Sequence, residues 1–296
     1  MLLLIEDLPG YLKDHLGVIL HLTDTPPSAE MTAWLTARAA DTDPRHVRRS
    51  MKLEDRYVNA FLGAHYDRDP LAEDRDNPLA GLLAAAGSED LWAQCSTLID
   101  KVRPASALDM GCSVGGLAAM LSRRQSRTLG FDTSFLSVLA ARRAILSAPT
   151  PLDSYRAYGE GDRYHRHTLS IAAKPQYADF IVASALARVT EPVELACAVN
   201  LIDLVPNPAR LLDMLVDQTT DDGHVLITSP YGWSDVARNR WLGGAADDSS
   251  PVALRSAAAE RGLTVVWENQ QVPWMWRDYS RFWRLYLVDA VLFTRA

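Results

Sequence analysis

One nine-residue stretch, Leu108-Asp-Met-Gly111-Cys-Ser-Val-Gly115-Gly116, constrains the fold more than any other part of the chain. It follows an apolar segment typical of a short strand and precedes a segment with helical spacing. Gly111 permits a tight turn with close backbone approach, and Gly115 allows the helix to pack near the strand. A glycine-rich turn between a strand and a helix is the context of a nucleotide-binding site. The rival interpretation is a pair of incidental turn glycines.

The segments after residue 105 alternate between strand and helix patterns. We expect strands at 107–109, 128–131, 178–183, 195–200, 224–228, 263–267 and 285–294, and helices at 115–124, 135–146, 208–218 and 252–261. This alternation predicts an α/β fold, with a parallel sheet covered by helices on both faces. Residues 155–176 are polar and rich in His and Arg, and we assign no element there.

The first hundred residues read as helical. We expect helices from Ser28 to Ala40, from Asp43 to His65 and from Leu79 to Lys101, with an acidic loop at 67–78. Asp43-Pro44 is typical of a helix N-cap followed by proline at the first helical position. The chain therefore divides into a helical N-terminal lobe or lid, residues 1–100, and an α/β domain, residues 101–296.

Two acidic residues indicate which nucleotide the turn would hold. Asp132 ends the next strand about twenty residues on, where a carboxylate hydrogen-bonds ribose hydroxyls. Asp109 lies two residues before the first glycine of the turn. A carboxylate there would repel a pyrophosphate but suits a cation. The sulfonium and ammonium groups of S-adenosylmethionine need such a partner.

This arrangement resembles motif I of class I S-adenosylmethionine-dependent methyltransferases, with Ser113 at the position of the usual central glycine. The resemblance implies a Rossmann-like, seven-stranded, mostly parallel sheet, with S-adenosyl-L-homocysteine as the coproduct. Many relatives have an acidic residue near adenine at the position of Ser184, so the contact of Ser184 with the cofactor stays open. Packing of a helix explains Tyr66 nearly as well as a cofactor contact does. The expected cofactor contacts are Tyr66, Asp109, Gly111, Cys112, Ser113, Gly115, Asp132, Thr133, Ser184, Ala185 and Asn200.

Four further blocks occur in order: Asn200-Leu-Ile-Asp203 through Leu212, Leu226 through Trp233, Trp241-Leu-Gly-Gly244, and Val272-Pro-Trp-Met-Trp-Arg277 through Phe282. Together they resemble the methyltransferase domain of ovothiol synthase over roughly residues 66–295. The resemblance implies methyl transfer to an imidazole nitrogen of 5-thiohistidine or of its selenium analogue. Ovothiol synthase also has an iron-binding domain with clustered histidines, which this chain lacks. A separate enzyme that forms the C–S or C–Se bond is therefore expected upstream.

Polar and aromatic residues after the fourth and fifth strands are candidates for holding this acceptor, because ligands of open α/β sheets bind at the carboxyl ends of the strands. Asn200, Asp203 and Tyr231 are the expected catalytic positioners. Arg277 is expected to clamp the acceptor carboxylate, or else to be a surface residue. The expected substrate contacts are Asn200, Asp203, Tyr231, Trp233, Trp241, Trp276 and Arg277.

Six of the eight tryptophans lie in the last quarter of the chain. We expect Trp274 and Trp276 to flank the clamp in a segment between the last two strands. Trp267 and Trp283 are expected to pack beneath the sheet, and Trp233 is explained equally well as a pocket or a core residue.

Bulk properties exclude several other classes. The net charge of -7 argues against nucleic acid as the partner, since that affinity comes mostly from neutralising phosphates. Three dispersed cysteines predict neither disulfides nor a zinc site, and His165 and His167 alone do not make a metal site. We expect a cytoplasmic protein without a signal peptide or membrane span. Open alternatives are a class I methyltransferase with another small acceptor, such as histidine, and a non-catalytic cofactor-binding subunit.

Overall fold

A computed structural model describes residues 56–67, 71, 76–77, 79–81, 90–146, 152–161, 163–237, 240–243 and 248–295. Helix α1 spans residues 56–66 and helix α2 spans Leu91–Val102. The helix expected to run unbroken from Leu79 to Lys101 is wrong, because Asp90 is extended and its carboxylate accepts a hydrogen bond from the Ala93 amide at 2.8 Å. This N-cap starts a new helix at Leu91. The helices expected before residue 56 lie outside the described residues.

Strands and helices then alternate as expected. The strands are β1 (Ser106–Met110), β2 (Arg127–Asp132), β3 (Ser154–Tyr158), β4 (Tyr164–Thr168), β5 (Ala178–Val182), β6 (Val193–Val199), β7 (Thr219–Ser229), β8 (Leu263–Tyr279) and β9 (Phe282–Arg295). The helices are α3 (Gly116–Arg123), α4 (Phe135–Ile145), α5 (Pro208–Asp217) and α6 (Ser250–Ala259), with a 3-10 turn at Pro175–Tyr177.

Seven of these strands form one sheet in the order β5-β2-β1-β6-β7-β9-β8. The first five are parallel, and β9 and β8 are antiparallel to their neighbours. Successive residues of β1 face opposite sides: Ala107 packs with α2 and α3, and Leu108 packs with α5 and α6. The expected α/β fold with helices on both faces is confirmed. The strand order reverses between β1 and β6, which opens a crevice at their carboxyl ends.

The last two strands are much longer than expected and form a hairpin. Placing Val272–Arg277 between two strands was wrong, since the block lies within β8. Pro273 is tolerated because β8 is an edge strand and pairs only with β9, so no ladder bond is lost on its free side. Alternation along β8 turns Trp274 and Trp276 to the buried face and Arg277 to the other.

Strands β3 and β4 form an antiparallel hairpin in the region that we left unassigned. The Tyr155 hydroxyl donates to Asp67 Oδ2 at 2.6 Å, and His167 Nδ1 lies 3.3 Å from the same oxygen. These contacts attach the hairpin to the end of α1. Among the described residues, no helix is long and apolar enough to cross a membrane. No three His, Cys, Asp or Glu side chains of this part of the chain group as metal ligands would.

Candidate active site

The turn after β1 is held by backbone hydrogen bonds to the neighbouring strand. The amides of Gly111 and Cys112 both donate to the Phe131 carbonyl at 2.8 Å. Gly111 has a φ of +75°, and a Cβ there would come within 2.7 Å of Leu201. A side chain at this position would be strained and would collide with its neighbour, so the turn needs glycine.

Asp109 is buried at the base of this turn. Its Oδ2 makes no hydrogen bond with any described residue. Burial and the nearby Asp132 carboxylate raise the pKa of Asp109 to about 7, against the effect of the Ala118 amide at the start of α3. An unpaired carboxylate oxygen at such a site lacks a positively charged partner.

Asp132 joins the turn to the segment that starts α4. Its Oδ2 accepts from the Ser113 amide and its Oδ1 from the Ser134 amide, each at 2.8 Å. Burial raises the pKa of Asp132, and backbone hydrogen bonds from Ser134, Ser113 and Thr133 oppose the rise. These three bonds fix the carboxylate and leave one of its lone-pair positions for a ligand.

Asn200 and Asp203 lie after β6 on the other side of the crevice. Asn200 has a φ of +51°, and its Oδ1 accepts from the Thr228 hydroxyl at 2.9 Å, which orients the amide group. Asp203 is 2% exposed, and its Oδ1 is unpaired among the described residues. Burial raises the pKa of Asp203, although Ser229 and Gly232 donate to it.

Aromatic rings from α1 and the β8–β9 hairpin form the opposite wall. The Phe61 and Trp276 ring centroids are 5.4 Å apart and inclined at 32°. Trp276 and Trp274 are 6.2 Å apart, and Trp274 and Tyr286 are 5.4 Å apart. His65 Nδ1 accepts from the Gly116 amide at 3.2 Å, which attaches α1 to the start of α3.

One cavity of about 560 Å³ connects the turn, the two polar residues and the aromatic wall. Of the residues predicted from the sequence, it brings together Asp109, Gly111, Cys112, Ser113, Asp132, Asn200, Asp203 and Trp276. Cys112 is buried beneath the turn, and burial raises the pKa of its thiol, so it is a neutral filler. A volume of this order accommodates a cofactor-sized ligand.

The remaining predicted residues do not line this cavity. Gly115 caps α3, and Thr133 is exposed. Ser184 and Ala185 follow β5 at the same edge of the sheet, and Ser184 Oγ accepts a hydrogen bond from the Leu186 amide. The Tyr66 hydroxyl donates to the Val114 carbonyl at 2.7 Å and so holds α1 against the turn. The other predicted residues outside the cavity are Tyr231, Trp233, Trp241 and Arg277.

Tyr231 takes part in a buried network instead. Its hydroxyl donates to Asp289 Oδ2 at 2.6 Å, and Arg255 donates to both Asp289 oxygens at 2.9 Å. Burial and the hydrogen bond to Asp289 raise the pKa of Tyr231. The structure thus places Tyr231 in this network and not among the residues that line the cavity, and the network holds the turn whose Pro230 and Gly232 line it.

Trp233 and Trp241 pack on each other, with ring centroids 6.1 Å apart, and the Trp233 indole donates to Ser250 Oγ. Arg277 faces away from Trp276, and its guanidinium lies 5.8 Å from the centroid of Trp283 across the hairpin. Arg277 is thus not on the face of β8 that carries Trp274 and Trp276, where the carboxylate clamp was expected. Trp267 packs on the core cluster as expected.

Several lining residues were missed by the sequence reasoning, among them Tyr57, Phe61, His65, Trp92, Ser134, Ser137 and Tyr286. Phe61 and His65 are four residues apart, so they share one face of α1. That spacing, with two aromatic side chains on one stripe, was the signal that the sequence offered.

The fold and the site define a Rossmann-like methyltransferase domain of class I. The chain belongs to the methyltransferase domain family, whose model matches residues 89–268. The protein is an S-adenosylmethionine-dependent methyltransferase. No protein with curated annotation matches this chain in sequence.

Several solved structures are similar to this one. A TehB-like SAM-dependent methyltransferase from Corynebacterium glutamicum is 18% identical, with 76% of this chain and 97% of that chain covered and a TM-score of 0.45. The N-methyltransferase NodS from Bradyrhizobium japonicum is 14% identical over 75% and 98%, with a TM-score of 0.44. Magnesium protoporphyrin IX methyltransferase from Synechocystis is 10% identical over 82% and 97%, with a TM-score of 0.46.

The residues of the turn fit the cofactor. Asp109 offers an unpaired buried carboxylate oxygen to a cationic group, and Gly111 lets a ligand approach the backbone closely. Asp132 presents fixed carboxylate oxygens to ribose hydroxyls. These three residues would hold S-adenosylmethionine on the turn side of the cavity.

Proposed function

We propose that the protein transfers a methyl group to an imidazole nitrogen of 5-thiohistidine or of its selenium analogue. The observation that carries the proposal is the continuity of the cavity, which is lined by the turn, by Asn200 and Asp203, and by the aromatic wall. A methyl acceptor has to meet the cofactor in one enclosed space. The rings of Phe61, Trp274 and Trp276 favour a small, flat acceptor.

The resemblance of four sequence blocks to the ovothiol methyltransferase supports the choice of acceptor. Three of those blocks supply lining residues: Asn200 and Asp203 from the first, Pro230 and Gly232 from the second, and Trp274 and Trp276 from the last. Tyr231 and Arg277, from the second and last blocks, lie outside the cavity wall. The choice of acceptor therefore rests on Asn200, Asp203 and the tryptophans.

S-adenosylmethionine supplies the electrophilic methyl group when it is bound. The unpaired Oδ1 of Asp203 accepts a hydrogen bond from the N–H of a neutral imidazole, which turns the lone pair of the other nitrogen away from Asp203. Asn200 Nδ2 is available as a donor, because Thr228 occupies Oδ1. The aromatic wall excludes water from the acceptor nitrogen. Alignment and desolvation are the contributions that in-line transfer needs most.

The acceptor contains a C–S or C–Se bond, which methyl transfer does not form. No cluster of histidines in the described part of the chain would support iron-dependent C–S or C–Se bond formation. We propose that a separate enzyme forms this bond and supplies the product to the cavity.

The test is a side-by-side assay of 5-thiohistidine, 5-selenohistidine and histidine with purified protein, followed by mass spectrometry of each product. We expect methylation of a ring nitrogen in the chalcogen-containing acceptors. Asp203→Asn should lower kcat/KM for the acceptor by about tenfold or more, because a charge-assisted hydrogen bond is lost. Methylation of histidine alone would refute the proposal, as would cofactor binding without turnover of any of the three.

A further inference from the structure

Trp274 and Trp276 line the cavity, and the indole N–H of each is buried without a hydrogen-bond partner among the described residues. Their side chains are 8% and 5% exposed, and neither Nε1 makes a hydrogen bond with a described residue. A buried indole N–H ordinarily has a partner, and leaving it without one costs free energy. Two such donors, two residues apart on one face of β8, point to a ligand atom that accepts from them.

The charge of the cavity limits what this atom belongs to. No Lys or Arg is among the described lining residues, whereas Asp109, Asp132 and Asp203 are. Arg284 lies over the Trp276 ring at 4.9 Å but pairs with Asp278 and does not line the cavity. An anionic atom of the acceptor would therefore be bound on this wall by neutral donors.

The aromatic wall favours an anionic atom attached directly to a flat ring. Such an atom lies in the plane of the ring, so it meets an indole N–H when the ring approaches the wall by its edge. Sulfur and selenium are polarisable and make favourable contacts with aromatic groups. A carboxylate on a flexible side chain would instead call for a bidentate arginine, and the cavity wall as described has none.

We propose that the Nε1–H groups of Trp274 and Trp276 donate to the thiolate or selenolate of the acceptor. They select a chalcogen-bearing imidazole over plain histidine. This inference rests on the proposed function and adds its specificity determinant. No covalent step is involved, since the two indoles act only as donors.

The test uses Trp274→Phe and Trp276→Phe in the full chain, because each change keeps an aromatic ring and removes the N–H. KM is measured for 5-thiohistidine and for 4-mercaptoimidazole, which lacks the carboxylate, and histidine is measured as a competitive inhibitor. We expect each KM to rise about tenfold or more, as for loss of a hydrogen bond to an ionised group. The inhibition constant of histidine and the cofactor affinity should change by less than about twofold.

Trp283→Phe is the matched control. Its Nε1 is also unpaired among the described residues, and it lies in the same hairpin but not on the cavity. This variant should leave both KM values unchanged.

If the substitutions weaken the binding of histidine and of 5-thiohistidine equally, the inference is overturned, because the indoles then contribute packing alone. A loss for 5-thiohistidine but not for 4-mercaptoimidazole would also overturn it, since the indoles would then bind the carboxylate. If neither variant folds, the wild-type protein decides: it must bind 5-thiohistidine about tenfold more tightly than histidine, and equal binding refutes the inference. If the wild type methylates no chalcogen-bearing imidazole, the proposed function itself fails.

Discussion

Replacing Asp109 by asparagine should make the stability of the cofactor-free protein less dependent on pH, so that the effect of the substitution becomes more stabilising as the pH rises. The folded-state pKa of Asp109 is about 7, above the 3.8 of an unperturbed aspartate. The folded protein therefore holds this proton more tightly than the unfolded chain does. The resulting contribution to stability is fully present below about pH 4 and is lost as the pH rises through 7.

The magnitude follows from these two pKa values. Between pH 5 and pH 8 the wild type should lose roughly 2–3 kcal/mol through Asp109 alone, at 1.36 kcal/mol for each unit of difference in pKa. Asparagine does not titrate in this range. Its buried amide brings a cost of about 1–3 kcal/mol if unpaired, but this cost is the same at both pH values and cancels in the comparison.

The assay is urea unfolding of the cofactor-free wild type and of Asp109→Asn at pH 5 and pH 8. The effect of the substitution on the free energy of unfolding should be more stabilising at pH 8 than at pH 5 by roughly 2–3 kcal/mol. Asp100→Asn is the control, because Arg124 lowers the pKa of this exposed carboxyl and it is ionised at both pH values. A substitution effect at Asp109 that does not depend on pH would refute the reasoning.

Four further results are expected. Cofactor binding should weaken as the pH falls through about 7 and should release a proton near neutrality, because a cation favours ionised Asp109. Calorimetry in buffers of different ionisation enthalpy measures the number of protons released on binding. Asp132→Ala should raise the cofactor KM about tenfold or more with a smaller loss in kcat, and a normal KM would exclude its ribose contact. Tyr231→Phe should lower the free energy of unfolding by about 1–2 kcal/mol, through loss of the Asp289 hydrogen bond, and change kcat less than about threefold. Arg277→Ala should leave the acceptor KM unchanged, and a large rise in this KM would indicate that Arg277 binds the acceptor carboxylate.

Much of the α/β domain could be predicted because its local patterns and its tertiary structure agree. The turn at Gly111 needs its glycine for reasons that act within a few residues. The acids Asp109 and Asp132 end adjacent parallel strands, so topology alone brings them together. The chemistry of the cofactor side was accessible from the sequence for this reason.

The acceptor side depended on contacts that sequence spacing does not encode. The polar run before Val272 and the proline that follows read as a loop, yet an edge strand accommodates both by pairing on one side only. Adjacent side chains of a strand point to opposite faces, so Arg277 points away from the face that carries Trp276. The contribution of α1 was missed because Phe61 and Trp276 are far apart in the chain and meet only in the folded protein.

The aromatic wall and the cofactor turn come from different parts of the sequence. The family model covers residues 89–268, which include the turn, Asp132, Asn200 and Asp203. Phe61 precedes this range, and Trp274, Trp276 and Tyr286 follow it. Exchanging α1 together with the β8–β9 hairpin between relatives would therefore exchange the aromatic wall as a unit, while Asn200, Asp203 and the methyl-donor site would stay with the shared domain.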